Sequence, residues 1–270
     1  MPYCQHIPTA PLSQFVTCFW YWEGTPQTPA KERLMPTGEA CIILNLRDDP
    51  LRLYANDDLD RYQTCGLAML SGARTKPFVI DNQQQDRVFG IQFRPAGAFP
   101  FFRIPASETA DLAVPLDLLW RTRTAELRER LLASASIPCM FQAAESVLHA
   151  QIARTLHCAV RFSLERFCRV PHATTIANVT DQVGLSQRHL IEIFREQVGV
   201  TPKAFCRVRR FQHALQSIHN VPQVDWAQVA LDCGYYDQAH FIHDFRSFSG
   251  LTPSQYWQRR TTHLNHVPIS

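Results

Sequence analysis

The sequence predicts an α+β protein, with a strand-rich N-terminal part and a helical C-terminal part. Short alternating apolar runs fill the first 105 residues, and helical periodicity replaces them near Pro105. Late in the chain, a self-similarity with a period of about 51 residues is typical of a duplicated helical unit. At 270 residues, 46% of them hydrophobic and 19% charged, the chain has enough apolar material for one large domain or two ordinary ones.

Four apolar runs predict strands of a β-rich, barrel-like domain over residues 1–105. They cover residues 15–22, 40–46, 78–80 and 88–93, with Pro and Gly between them. Several short strands at this spacing favour a barrel or a sandwich. The predicted α+β fold class therefore consists of this strand-rich domain and the helices that follow it.

Residues 106–155 are predicted to form a helical linker or a dimerisation region. Residues 126–132 place Leu at i and i+4 with charges between them, which is an amphipathic signature. This helix either packs on the barrel or offers a dimer surface. Further helices are predicted at about 141–153 and 156–169, the last ending before Pro171.

The repeat predicts two helix-turn-helix units. In each copy a helix ends at a Gly, which permits a left-handed stop, and Ser186 or Asp237 then caps a second helix. A helix, a short Gly turn and a second helix form the plan of DNA-binding helix-turn-helix motifs, whose second helix enters the major groove. The aligned pairs are His189/His240, Leu190/Phe241, Phe194/Phe245, Arg195/Arg246, Gly199/Gly250, Thr201/Thr252, Pro202/Pro253 and Phe205/Tyr256.

These residues closely resemble the C-terminal signature of the AraC/XylS family of bacterial transcription regulators, above all from Gly234 to Tyr256. The resemblance covers about residues 156–260. It implies an all-α DNA-binding domain of about seven helices over residues 156–270, with helix-turn-helix units at about 176–198 and 224–248. A joining helix at about 202–218 would span roughly 25 Å. The two recognition helices would then enter successive major grooves, about 34 Å apart, on one face of the DNA.

The resemblance also implies which residues contact DNA. Arg can read guanine and Gln can read adenine in the major groove, whereas contacts to phosphate set register. Glu192 and His243 stand where the family often has Arg or Lys, and Glu192 repels phosphate although it can accept from a cytosine amino group. For each residue the alternative is an ordinary solvated helix face. The base-contacting candidates are Arg188, Ile191, Glu192, Arg195, Gln238, Ala239, His243 and Arg246, and the phosphate-contacting candidates are Ser186, Gln187, Lys203, Arg207, Arg209, Arg210 and Asp237.

A weaker resemblance concerns the N-terminal half. Residues 36–39, 89–98 and 116–120 look like the uncharacterised sensor-like domain of one AraC subgroup. In this family such domains bind small effectors or mediate dimerisation. The effector-binding candidates are Trp20, Trp22, Arg33, Phe78 and Arg94, although aromatic residues at strand spacing also form cores.

Several classes of protein are not expected. No secretory signal or membrane-spanning run is visible, which predicts a cytoplasmic protein without a membrane partner. The nine Cys include no C-x-x-C pair, so neither a disulfide framework nor a zinc ribbon is expected, and a redox-sensing Cys stays open. No catalytic or cofactor-binding motif is present, so we expect no enzyme, no cofactor and no metal. The pair His240 and His243, spaced for a metal, is better explained by the repeat.

The sequence thus predicts a sequence-specific DNA-binding transcription regulator. Its partner is double-stranded DNA, with a small effector, a second copy of the chain and, for an activator, RNA polymerase as further partners. One alternative is a small-molecule-binding β-barrel whose helical half serves protein contacts. Another is a barrel-type enzyme fused to a DNA module, which would need His and acids clustered in the first 105 residues, where His6 is the only histidine.

Overall fold

The computed structural model describes residues 3–25, 31–56, 58–169, 171 and 174–269. Within them, strands fill the N-terminal part and helices the C-terminal part, which confirms the α+β class. The strands are β1 (Tyr3–His6), β2 (Val16–Glu23), β3 (Lys31–Leu34), β4 (Cys41–Asn45), β5 (Arg52–Tyr54), β6 (Tyr62–Thr64), β7 (Ala68–Ser71), β8 (Phe78–Asp81), β9 (Arg87–Phe93), β10 (Ala113–Pro115) and β11 (His266–Ile269).

The helices follow β10. They are α1 (Leu116–Trp120), α2 (Thr122–Leu132), α3 (Ile137–His149), α4 (Cys158–Arg169), α5 (Ile176–Val183), α6 (Gln187–Val198), α7 (Pro202–His219), α8 (Trp226–Asp232), α9 (Gln238–Ser249) and α10 (Pro253–Arg259). In the described part of the chain, seven of them follow residue 156, as predicted, and they include two helix-turn-helix units.

The strands form two antiparallel sheets. Sheet A has the order β1-β2-β9-β4-β7-β10, and sheet B has the order β11-β3-β8-β5-β6. Among the described residues, each sheet has at both edges a strand that pairs on one side only, so neither sheet closes into a barrel. The predicted barrel-like layout is therefore corrected to two open sheets. The sequence could not distinguish these, because a barrel and a sandwich share the same short-strand pattern.

The two faces of sheet A have different neighbours. Alternate residues such as Phe89, Ile91 and Phe93 are completely buried in one core with helices α1–α3. In that core, Leu127 and Leu131 of α2 are fully buried, so the apolar face of this helix packs on the sheet. The sequence left open whether this helix packs on the strands or offers a dimer surface. The structure shows that its apolar face packs on the sheet.

The C-terminal helices have two cores, and both continue into the N-terminal part. Helices α4–α6 share a core with Ala73 and Ala96. Helices α7–α10 share another with Met35 and Val267. The chain then returns to sheet B, where β11 pairs antiparallel with β3, and Val267 lies opposite Arg33. The helical part is therefore docked against the strands rather than suspended from a linker.

Candidate nucleic-acid interface and cavity

The first helix-turn-helix unit is built from local signals in the sequence. Helix α5 ends at Gly184, whose φ of 68° is the left-handed conformation that glycine adopts without strain. Ser186 then caps α6, because its hydroxyl accepts a hydrogen bond from the backbone N–H of His189 at 3.2 Å. Leu190 and Phe194 of α6 are completely buried, so the helix has one fixed inner face.

The second unit repeats the same construction. Gly234, with a φ of 72°, follows α8, and the carboxylate of Asp237 accepts from the backbone N–H of His240 at 2.7 Å. Phe241 and Phe245 of α9 are completely buried. Both α6 and α9 therefore present one face to the core and leave the opposite face free.

The predicted base-contacting side chains lie on the free faces of α6 and α9. Seven of the eight belong to exposed residues, and Ile191 is half-buried. Arg188 and Glu192 form an ion pair at 2.9 Å, with 90% and 58% of their side chains exposed. A pair so exposed contributes little to stability, so both groups can exchange partners freely. The exposed residues are Arg188, Glu192, Arg195, Gln238, Ala239, His243 and Arg246.

The predicted phosphate contacts fall into two groups. Ser186, Gln187, Asp237 and Lys203 are exposed near helix N-termini, the first and third as the caps described above. The three arginines of α7 instead have partners within the protein. The guanidinium of Arg207 meets Asp244 at 2.6 Å, that of Arg209 meets Glu39 at 3.4 Å, and that of Arg210 donates to the Gly234 carbonyl at 3.2 Å.

Asp244 connects the joining helix to the second recognition helix. Its side chain is only 4% exposed and accepts from Arg207 at 2.6 and 3.3 Å, with Arg210 at 3.9 Å. The hydrogen bond from Arg207 to Asp244 raises the pKa of the arginine. The sequence analysis missed Asp244. The sequence did contain a signal for a buried acid, because Asp244 stands between Phe241 and Phe245, on a helix turn that faces the core.

A cavity of about 480 Å³ lies between the two sheets. Trp20, Trp22 and Phe78, predicted to bind an effector, line it. Arg33 and Arg94 do not. Arg94 is exposed and donates to the Ser13 carbonyl at 2.8 Å, beside a smaller cavity.

The polar groups of the cavity were missed by the sequence analysis. Glu32 accepts a hydrogen bond from the ring of His266 at 2.8 Å, and Glu39 accepts one from Gln92 at 3.1 Å. Burial raises the pKa of Glu39. Burial acts in the same direction on Glu32, but the hydrogen bond and charge of His266 outweigh it, so the pKa of Glu32 is lowered. Arg74 also lines the cavity. The alternation of side chains along β3 was the signal that could have distinguished Glu32 from Arg33.

Strands β3 and β11 separate the cavity from the second helix-turn-helix unit. Glu32 and Leu34 line the cavity, whereas Arg33, between them, lies next to Gly250 at the end of α9. A Cβ on Gly250 would be 3.1 Å from the Nη1 atom of Arg33. In β11, His266 lines the cavity and Val267 is buried in the core of α7–α10.

In the described part of the chain, no group of three or more His, Cys, Asp and Glu side chains is arranged to hold a metal ion. All nine cysteines are free, and burial raises the pKa of Cys41, which lines the cavity, to about 12. A thiol with such a pKa is unreactive at neutral pH. Among the described helices, none combines the length and apolar character needed to cross a membrane.

Comparisons with known proteins divide the chain in the same way as the structure. Residues 4–115 match a domain of unknown function (DUF6597), and residues 179–259 match a helix-turn-helix domain. The structure of a probable AraC family transcriptional regulator from Rhodopseudomonas palustris is 31% identical; the match covers 97% of that chain and 38% of this one, with a TM-score of 0.35. Through this domain, the chain belongs to the AraC family.

Further relatives match the same AraC-type domain. The transcriptional regulator GadX of Escherichia coli O6:H1 is 32% identical over 95 residues, which is 35% of this chain and 34% of GadX. The transcriptional activator RhaR of Klebsiella pneumoniae is 32% identical over 98 residues, which is 36% of this chain and 30% of RhaR. The match thus spans about a third of the length of these curated relatives. ToxT of Vibrio cholerae, solved with a bound unsaturated fatty acid, is similar over 93% of this chain at 11% identity and a TM-score of 0.49.

Proposed function

We propose that this protein is a transcription regulator that binds double-stranded DNA through the free faces of α6 and α9. The observation that carries the proposal is the repeated helix-turn-helix unit, in which a side chain caps the second helix and that helix has an exposed polar face in each copy. Helix α7, with 18 residues, separates the two units. Such a helix is about 27 Å long, which is comparable with the roughly 34 Å between successive major grooves.

The free faces provide suitable groups for base recognition. Arg188 can form two hydrogen bonds with guanine, and Gln238 can form two with adenine. Ile191 and Ala239 can contact the methyl group of thymine. Glu192 neutralises Arg188 in the free protein, so binding to a guanine requires this ion pair to rearrange. Lys203, Gln187 and the N-termini of α6 and α9 are placed for phosphate.

The proposal includes control of DNA binding by a small effector in the cavity. Its support is the double role of β3 and β11, whose alternate residues face the cavity and the second helix-turn-helix unit. The ion pair between Glu39 and Arg209 adds a direct link from the cavity wall to α7. An effector that changes the position of β3 would therefore change the position of α9.

The remaining predictions about function are part of the same proposal. The protein acts in the cytoplasm, contacts RNA polymerase if it activates transcription, and is a candidate for homodimerisation. No catalytic step is assigned to it. The domain limits at residues 105 and 155 stay predictions, as do the individual DNA contacts.

Selection of genomic DNA fragments by the purified protein tests this function. The selected site is then used in gel-shift titrations with Arg188→Ala and Gln238→Ala. Each variant should bind about five- to 150-fold more weakly, since a bidentate base contact contributes about 1–3 kcal/mol. The matched control is Arg130→Ala, which removes an arginine of α2 that is 48% exposed and pairs with Glu126 on the same helix.

The salt dependence of binding is the second measurement. Affinity should fall steeply between about 50 and 200 mM salt, because each phosphate contact releases condensed counterions. Unchanged binding by both variants, or a flat salt response, would contradict the DNA interface. Retained cavity binding without any DNA binding would instead favour a small-molecule-binding protein whose helices contact other proteins.

A further inference from the structure

Among the described residues that line the cavity between the sheets, one charged side chain has no partner of opposite charge. Glu32 is hydrogen-bonded to His266 at 2.8 Å, and Glu39 lies 3.4 Å from Arg209. Arg74 lines the same cavity and is only 9% exposed. In the part of the chain that the structure describes, no carboxylate lies within ion-pair distance of its guanidinium.

The guanidinium of Arg74 is held in place by neutral groups. Its Nε donates to the Ser71 hydroxyl at 3.0 Å, and its Nη1 donates to the Asp111 carbonyl at 3.2 Å. It also stacks on Phe78, with its central carbon 4.3 Å from the ring centroid. An arginine has five N–H donors in a fixed plane, so these two bonds orient the group and leave donors for another acceptor.

Asp111 acts electrostatically on Arg74 but does not form an ion pair with it among the described contacts. The Asp111 carboxylate accepts from the backbone N–H and the hydroxyl of Thr75, each at 2.6 Å. It acts on Arg74 only at longer range, and burial still lowers the pKa of this arginine. Burial removes water from the guanidinium of Arg74, and the neutral partners only partly make up for that lost hydration. An anionic ligand group such as a carboxylate would supply the missing interaction, so the site favours an anion.

The rest of the wall suits an apolar body. Trp20 and Trp22 project from one face of β2, and Ile43 and Met69 lie on neighbouring strands of sheet A. The volume of about 480 Å³ falls within the range of small-molecule sites.

We infer that this cavity binds an amphipathic molecule with a single anionic group, which Arg74 holds while the apolar body lies against Trp20 and Trp22. The inference rests on the proposed function, because it assigns a ligand class to the effector cavity. A cationic ligand is disfavoured, since Glu32 and Glu39 already have partners.

Two fluorescent probes that differ in their charged group test this ligand class. 8-Anilinonaphthalene-1-sulfonate carries a sulfonate, and N-phenyl-1-naphthylamine has a similar ring system without a charge. Both are titrated into the full-length protein, into Arg74→Gln and into Arg74→Lys. The control is Arg52→Gln, which removes an arginine of sheet B that stacks on Tyr62 outside the cavity. Ile43→Trp narrows the cavity at its apolar wall, and thermal melting verifies that each variant is folded.

The sulfonate probe should bind the unaltered protein in a 1:1 complex, and Arg74→Gln should weaken its binding about ten-fold or more. Arg74→Lys should retain part of that affinity, whereas the neutral probe should bind all three proteins equally. Arg52→Gln should change neither probe, and Ile43→Trp should weaken both. Equal sulfonate binding by the unaltered protein and Arg74→Gln, or sulfonate binding that Ile43→Trp leaves unchanged, would overturn the inference.

DNA binding measured on the same preparations separates the two proposals. If the unaltered protein binds its selected DNA site but Arg74→Gln leaves the sulfonate affinity unchanged, only the ligand class is wrong. If no DNA site is selected, the proposed function fails whatever the probes show.

Discussion

Replacement of Asp244 by Asn should destabilise the C-terminal helices more than any change at an exposed ion pair. The substitution preserves the shape of the side chain and removes its negative charge. Arg207, which approaches the carboxylate at 2.6 and 3.3 Å, would then face an amide with only one acceptor oxygen.

The expected loss follows from the burial of the two partners. Breaking a fully buried ion pair costs about 3–5 kcal/mol, and each charged hydrogen bond contributes about 1.5–3 kcal/mol. Asp244 is 4% exposed, but 37% of the Arg207 side chain remains accessible to water, which can solvate the unpaired guanidinium. The discounted loss is therefore about 2–3 kcal/mol in the free energy of unfolding.

Urea unfolding followed by circular dichroism and tryptophan fluorescence measures this loss. With an m-value of about 2 kcal/mol/M, the unfolding midpoint should fall by about 1–1.5 M. Glu126→Gln breaks an exposed pair of 2.7 Å in α2 and should shift the midpoint very little. A double-mutant cycle with Arg207→Gln isolates the pairwise free energy. A loss for Asp244→Asn no larger than that of the control would refute the role of this pair.

Four other substitutions have defined outcomes. Glu192→Gln removes the charge 2.9 Å from Arg188 and should tighten DNA binding roughly two- to five-fold at low salt, measured by gel shift. Gly184→Ala should lower the free energy of unfolding by about 1 kcal/mol through its positive φ alone, whereas Gly199→Ala should cost about 2–3 kcal/mol, since its Cβ would also lie 3.1 Å from a backbone oxygen. The pKa of Glu32 is lowered on folding, so its contribution to stability is present above about pH 4.5 and lost as pH falls through the folded-state pKa. Glu32→Gln should therefore flatten that part of an acid-unfolding curve, and an unchanged curve would contradict the assignment.

The helix-turn-helix units could be predicted because their signals are local. Ser186 and Asp237 each cap a helix through an N–H three residues later. Gly199 and Gly250 adopt the left-handed conformation at the ends of α6 and α9. All of these interactions lie within a few residues, so a sequence pattern contains them completely.

The partners of the α7 arginines could not be predicted in the same way. Arg209 meets Glu39 across 170 positions of sequence, and Arg207 meets Asp244 across 37. An arginine on a helix surface near a recognition helix looks identical in sequence whether it meets a phosphate or a carboxylate. Only the docking of the helices on the sheets decides which acid is within reach.

Strand β11 was missed for a related reason. It has four residues, includes Pro268, and pairs with β3 more than 230 positions earlier. Pro is compatible with an edge strand, and β11 is at the edge of sheet B. A short strand of this kind is stabilised by its pairing with β3. Its own four residues do not indicate which strand it will pair with.

The pairing of β3 with β11 also limits how an effector can act. Because side chains alternate along a strand, a backbone shift of β3 that displaces Glu32 and Leu34 in the cavity also displaces Arg33 beside Gly250. The same constraint joins His266 in the cavity to Val267 in the core of α7–α10. No separate hinge is needed, since two hydrogen-bonded strands move as one unit. If β3 and β11 can take two positions, an effector shifts the balance between them only by the difference in its affinity for the two. The effect on DNA binding can be no larger than that difference, so a ligand with equal affinity for both positions would bind without regulating.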